Sequence, residues 1–207
     1  MRLPDWLRGT AGRRPGNARW VVVDVETSGM DPGRDRLISI GAVALDGGRL
    51  RPGDSFEVVL QQSIPSARDN ILVHGLGAAA QSGGATPREA LQGFSDFIGD
   101  APLLAFHAPF DRAFLLRAIE PHRPLDLRND WLDLAPLAQA LVPQARLVSL
   151  DEWLAHFGIS VANRHSAAAD AYATALLTLR LLDLARRTGE EDFRSLQRSA
   201  RDARWSA

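Results

Sequence analysis

Asp24 and Glu26 stand two residues apart in the run Trp20-Val-Val-Val-Asp-Val-Glu26, acids in otherwise apolar company. Side chains alternate across a strand, so a strand here projects both carboxylates from the face that Val22 uses. Two neighbouring carboxylates on a buried strand repel each other unless protons or cations separate them. The plainer alternative is a strand end where both reach water. A third acid, Asp111, lines up with Phe114, Leu115 and Ala118 at i, i+3, i+4 and i+7. That places it on the apolar stripe of a helix and in its first turn, where the dipole favours an anion. A fourth, Asp170, shares a helix face with Thr174, Leu177 and Leu181. Each of these two could simply stabilise its own helix start, although residues doing so usually lie on the wet face. His165 stands just ahead of Ser166, the predicted N-cap of the Asp170 helix.

Four acids on the buried faces of three elements bring together more negative charge than a core tolerates without counter-charge. Oxygen-only ligands suit Mg²⁺ or Mn²⁺ and argue against zinc. Two such cations, roughly 3.5–4 Å apart, would activate water and stabilise the leaving oxygen in phosphodiester hydrolysis. Histidine exchanges protons near neutral pH, so His165 could take the proton from that water.

The elements that must position these groups are legible in outline. Three strands are predicted, over Trp20–Glu26, Leu37–Leu45 and Phe56–Leu60, with short connections that favour an antiparallel meander. Thr86-Pro87-Arg88-Glu89 combines an N-cap, Pro at the first helical position and a capping box, for a helix carrying Leu91, Phe94 and Ile98 inward to Gly99. A strand over Pro102–Phe106 precedes a helix from Pro109 to about Ile119. A short strand at Trp131–Leu132 and a helix over Pro136–Leu141 follow. Ser149-Leu150-Asp151-Glu152 is a second capping box, with Val148 and Trp153 as a hydrophobic staple. The longest helix runs from Ser166 to about Arg187 and stops at Gly189. The expected division is a poorly ordered extension over 1–17, a catalytic domain over 18–188 and a helical tail over 189–207.

Composition narrows the class. The 207 residues are 45% hydrophobic and 24% charged, enough for one cored domain. All 24 basic residues are Arg, and the net charge of −1 gives no global basic signature of the kind a pure nucleic-acid-binding module carries. Without cysteine there is no disulfide framework and no thiolate metal site. No apolar run approaches membrane-spanning length and residues 1–17 show no secretory signal, so a cytoplasmic location without membrane association is the expectation.

The motifs Val23-Asp24-Val25-Glu26-Thr27-Ser28-Gly29, Phe106-His107-Ala108-Pro109-Phe110-Asp111, and His165 with Asp170 together resemble the three motifs of the DEDDh 3′–5′ exonucleases. That family includes the epsilon proofreading subunit of bacterial DNA polymerase III, ribonuclease T and oligoribonuclease. The resemblance runs from about Trp20 to Leu182 and takes in Val73-His74-Gly75-Leu76. It implies an α/β, ribonuclease-H-like fold: a five-stranded mixed sheet, strands one to three antiparallel, flanked by helices. It implies that Asp24, Glu26, Asp111 and Asp170 hold two divalent cations, Mg²⁺ or Mn²⁺, with His165 as general base. Thr27 would meet the terminal nucleotide through its backbone, Leu76 would wedge against a base, and His74 would lie along the substrate cleft. Gly29 and Gly75 would allow tight backbone turns. Many relatives have His-Asn where this chain has Phe106-His107, and His107 is expected in a core or supporting position, not as a ligand.

The leading expectation is therefore an exonuclease acting on nucleic-acid 3′ ends, single-stranded or frayed DNA ahead of RNA. It would release nucleoside 5′-monophosphates and could associate with a DNA polymerase. No clamp-binding motif follows the long helix. The rival within the same chemistry is an exoribonuclease that trims RNA or degrades short oligoribonucleotides. A third reading, a catalytically silent binding subunit, has no need of four acids and a histidine together.

Overall fold

The computed structural model describes residues 19–162, 164–190 and 192–205. The expected N-terminal extension lies outside them. The chain begins with three antiparallel strands, β1 (Arg19–Thr27), β2 (Leu37–Asp46) and β3 (Arg49–Val59). Two short helices, α1 (Arg68–His74) and α2 (Ala78–Ser82), lead to α3 (Pro87–Ile98). Then come β4 (Leu103–Ala105), α4 (Ala108–Ile119), β5 (Trp131–Asp133), α5 (Leu134–Leu141), α6 (Leu150–His156), α7 (Ala167–Arg187) and α8 (Phe193–Trp205). The sheet order is β3-β2-β1-β4-β5, with β4 parallel to β1 and β5 parallel to β4. The mixed five-stranded α/β sheet predicted from the sequence is the one observed.

Alternation along β1 sorts its side chains between two cores. Val21, Val23 and Val25 pack with Leu91, Phe94, Phe114 and Leu115 of α3 and α4. Val22 packs on the other face with Trp153 of α6, Leu177 and Leu181 of α7, and Leu196 of α8. Asp24 and Glu26 follow Val22, so they emerge on the α7 side just beyond the apolar layer. The parallel strands β1, β4 and β5 all point their C-terminal ends toward that edge.

Several boundaries differ from expectation for identifiable reasons. The third strand starts at Arg49, not Phe56, because a bulge absorbs the breakers: Val43 pairs with Ser55 and Ala44 with Arg51, leaving Pro52, Gly53 and Asp54 outside the ladder. No helix was expected over residues 68–82, where two helices of seven and five residues are too short to show a period. Both capping boxes form. Val148, however, is 73% exposed while Trp153 is fully buried, so the predicted staple adds little burial. Leu196 and Ala200 of α8 are buried in the same core as α5 and α7, so the residues expected as a tail contribute to the packed interior.

Candidate active site

Three elements deliver carboxylates to one point. Oxygens of Asp24, Glu26 and Asp170 all lie within 4.8 Å of one another. Asp111 adjoins them from α4. The short β4 meets β1 only at Val21 and Val22, so the Val25 N–H has no strand partner on that side and Asp111 Oδ1 accepts it at 3.1 Å. What lets α7 come close enough is Gly41, opposite Asp24 on β2. A Cβ there would sit 2.1 Å from the Ala167 carbonyl carbon at the start of α7. A glycine within a strand otherwise rich in branched residues is the signal that could have marked this approach.

Mutual repulsion and burial oppose ionisation. Burial first, then the charges of Asp111, Asp170 and Glu26, raise the Asp24 carboxyl well above the usual carboxylate range. Burial and the Asp170 charge push Glu26 up to about 7. Burial also raises Asp111, although its hydrogen bond from Val25 works against this. Asp170 is raised by burial and held back chiefly by Arg164. Arg164 was not foreseen. Its guanidinium pairs with Asp170 through one nitrogen and with Asp151 Oδ1 at 2.8 Å through another. A cation thus already stands against the cluster, which is an independent sign that the donor set fits positive charge. The only prior signal was its place beside His165.

His165 lies at this cluster through its backbone. Its N–H donates to Asp170 Oδ1 at 3.2 Å, its φ is 71°, and its ring is exposed. Histidine tolerates this left-handed turn, and the exposed ring is open to solvent.

Thr27, His74 and Leu76 are joined by a buried polar network. The Thr27 carbonyl accepts from Asn70 Nδ2 at 2.9 Å, while its hydroxyl donates to the Gly29 carbonyl. His74 is 3% exposed, so it does not line an open cleft as expected. Its Nδ1 accepts the Leu76 N–H at 2.9 Å, which puts the ring proton on Nε2, facing Asn70 Oδ1 at 2.8 Å and Ser66 Oγ at 3.3 Å. Burial lowers its pKa, which agrees with a neutral ring. His74 thus positions Asn70 and Leu76. Gln81 closes the network on Ser66 and the Leu76 carbonyl. Leu76 itself is half-buried, just past Gly75, whose φ of 72° ends α1. Gly29 serves a different purpose from the turn expected: a Cβ would lie 2.4 Å from the Asp35 carboxylate.

His107 is corrected from a core position. It is exposed, caps α4 with a left-handed backbone (φ 63°, ψ 47°) and donates its N–H to Asp133 Oδ1 at 3.0 Å. Histidine tolerates this conformation unusually well. Asp133, also unforeseen, caps α5 through the Ala135 N–H and pairs with Arg204 of α8.

The model of the family described as "Exonuclease" matches residues 21–178. The chain belongs to the exonuclease family. A DNA polymerase III PolC-type protein of Thermotoga maritima is 31% identical over 174 residues, 84% of this chain and 12% of that protein. A DNA polymerase III subunit epsilon-like protein of Rhodobacter capsulatus is 33% identical over 177 residues, 84% of this chain and 25% of that protein. The chain therefore spans a quarter or less of these relatives. Among solved structures, the nuclease domain of 3′hExo, described as a DEDDh family member bound to rAMP, superposes with a TM-score of 0.71 at 17% identity, covering 85% of this chain and 95% of that one. Exonuclease X in complex with 5′ overhanging duplex DNA gives 0.68 at 18%, covering 86% and 99%. The exonuclease resemblance and the ribonuclease-H-like fold both hold, and the exonuclease family is one of nuclease hydrolases. No described helix is long and apolar enough to cross a membrane.

Proposed function

We propose that this chain is a 3′–5′ exonuclease that removes nucleoside 5′-monophosphates from single-stranded or frayed DNA ends. The observation that carries the reading is the convergence of Asp24, Glu26 and Asp170, with Asp111 beside them, on one edge of the sheet. All four have pKa values raised, and the cluster already draws in a guanidinium. In this reading the four carboxylates hold two divalent cations, Mg²⁺ or Mn²⁺. Such cations, when bound, neutralise the cluster, polarise the phosphate and stabilise the leaving oxygen. The exposed ring of His165 accepts the proton of the water that attacks the terminal phosphorus. The bond to the 3′ oxygen of the preceding sugar breaks, and the last nucleotide leaves with its 5′ phosphate. Leu76 and the Thr27 backbone hold that nucleotide, and His74 and Asn70 keep both in place.

DNA is favoured over RNA because the sequence relatives are named as DNA polymerase III proteins. The same names support association with a DNA polymerase. The presence of all four acids and the histidine weighs against a silent binding subunit. Incubation of 5′-labelled single-stranded DNA, duplex DNA and short RNA with Mg²⁺ or Mn²⁺ tests the reading. Stepwise shortening from the 3′ end, abolished by chelator, is expected, with the DNA strands degraded faster than RNA. Cleavage of a closed circular strand, or hydrolysis that persists in excess chelator, would overturn it.

A further inference from the structure

Two cavities of about 320 and 190 Å³ open side by side along β5, beyond the carboxylate cluster. Trp131, Asp133 and Arg204 line both, so they form one continuous groove. Arg112 of α4 walls one end, and Gln197 and Arg201 of α8 wall the other. The acid in the groove is already committed, since Asp133 accepts the His107 and Ala135 N–H groups and pairs with Arg204. Asp202, the nearby acid of α8, lines a different cavity with Leu141 and Arg187.

The groove leads to the site. Arg112 directly follows Asp111, and Asp133 is near enough for its charge to raise the Asp111 carboxyl. Helix α8 runs alongside β5, with Gln197 donating to the Trp131 carbonyl at the strand's start and Arg204 meeting Asp133 at its end. Arg194, Arg198 and Arg201 are exposed at helical spacings of four and three, so they share one side of α8. From Arg194 to Arg204 the helix rises about 15 Å, at 1.5 Å per residue. That matches roughly four nucleotides at the ~3.4 Å axial spacing of a stacked strand. A chain with net charge −1 therefore concentrates arginine beside its most acidic feature.

We propose that this groove and the arginine side of α8 bind the phosphodiester backbone of the substrate strand on the 5′ side of the bond cleaved. The proposal rests on the nuclease reading. Guanidinium groups contact phosphate without reading bases, so the surface holds the strand and leaves its sequence unread.

The test compares hydrolysis of a thymidine 20-mer and a 4-mer with Mn²⁺ by the full chain and by two double variants, Arg112→Ala/Arg201→Ala and Arg194→Ala/Arg198→Ala. The preference for the 20-mer in kcat/KM should fall about tenfold, and its salt dependence should flatten by about 0.7 per arginine removed. A uridine 20-mer should show the same flattening, because the contacts are to phosphate. Equal losses for both lengths, an unchanged salt slope, or an effect confined to one sugar type would overturn the groove. Glutamine in place of alanine, with melting followed by circular dichroism, separates a lost contact from a lost fold. If the unmodified chain hydrolyses neither oligomer, the nuclease reading fails. The salt slope of 20-mer binding, read by anisotropy in the same variants, then still decides the groove.

Discussion

At the scale of residues, the carboxylate cluster makes the metal-free protein sensitive to pH in a predictable direction. The Glu26 carboxyl is raised from 4.5 to about 7, and Asp24, Asp111 and Asp170 are raised as well. A raised acid holds its proton longer in the folded state than in the unfolded one. Its stabilisation is complete below the unfolded value and is lost as pH rises through the folded value. Melting temperature in chelator should therefore decline from about pH 4.5 to about pH 7, and saturating Mg²⁺ should remove the decline. Asp24→Asn should melt higher than the parent in chelator at pH 7, because it removes a carboxyl whose ionisation burial and neighbouring acids oppose, and should lose most of the Mg²⁺ response. A flat profile, or a cluster variant that melts lower, would contradict this account. His165 differs in kind, because its tie to the cluster is a backbone N–H that any residue supplies. His165→Ala should keep the Mg²⁺-dependent rise in melting temperature and lower kcat by roughly 10²–10⁴, the range for one general base. Loss of the Mg²⁺ response in that variant would make His165 a ligand and not a base.

At the scale of elements, the site depends on how closely α7 approaches β2. Gly41→Ala would place a methyl group 2.1 Å from the Ala167 backbone, and neither element can yield without moving Asp170 away from Asp24. Overpacking of this kind costs about 1–3 kcal/mol. Activity should fall by more than the stability loss explains, measured well below the melting temperature. Gly53→Ala is the control, since its Cβ would meet nothing within 4 Å. Elements with a strong local signal were readable in the sequence: the apolar run of β1, both capping boxes, the Pro start of α3 and the Gly189 stop of α7. The convergence of the acids was foreshadowed as well, because Asp24 and Glu26 share a strand face while Asp111 and Asp170 fall on apolar helix stripes. What escaped depends on tertiary approach. Gly41 matters only because α7 crosses it, and Arg164 only because Asp151 and Asp170 flank it. Asn70 matters because α1 folds back on the end of β1. The buried state of His74 belongs to the same class, since Ser66, Asn70 and Leu76 reach its ring only once the loop and α1 have folded together. Those short helices also carry too few residues for periodicity to reveal them.

At the scale of the molecule, α8 is tied into the core by Leu196, fully buried, and Ala200, and it meets the site through Arg204 and Asp133. Leu196→Ala should destabilise the whole domain by about 2–5 kcal/mol, the usual cost of a buried Leu truncation. Chemical denaturation should show one transition, shifted to lower denaturant. A separate early transition with the rest unchanged would make α8 an independent appendage. The other side of the sheet ends differently. Beyond the Ala85 bridge at its C-terminal end, no described element pairs with β3 on its outer side, and an open edge strand offers a row of unsatisfied backbone groups to any passing chain. The excursion at Pro52–Asp54 interrupts that row midway, and Arg49, Arg51 and Glu57 are exposed on either side of it. A second copy approaching edge to edge would find only short stretches to pair with and charged side chains beside them. The kink in β3 thus divides that edge into segments too short to template an extended sheet.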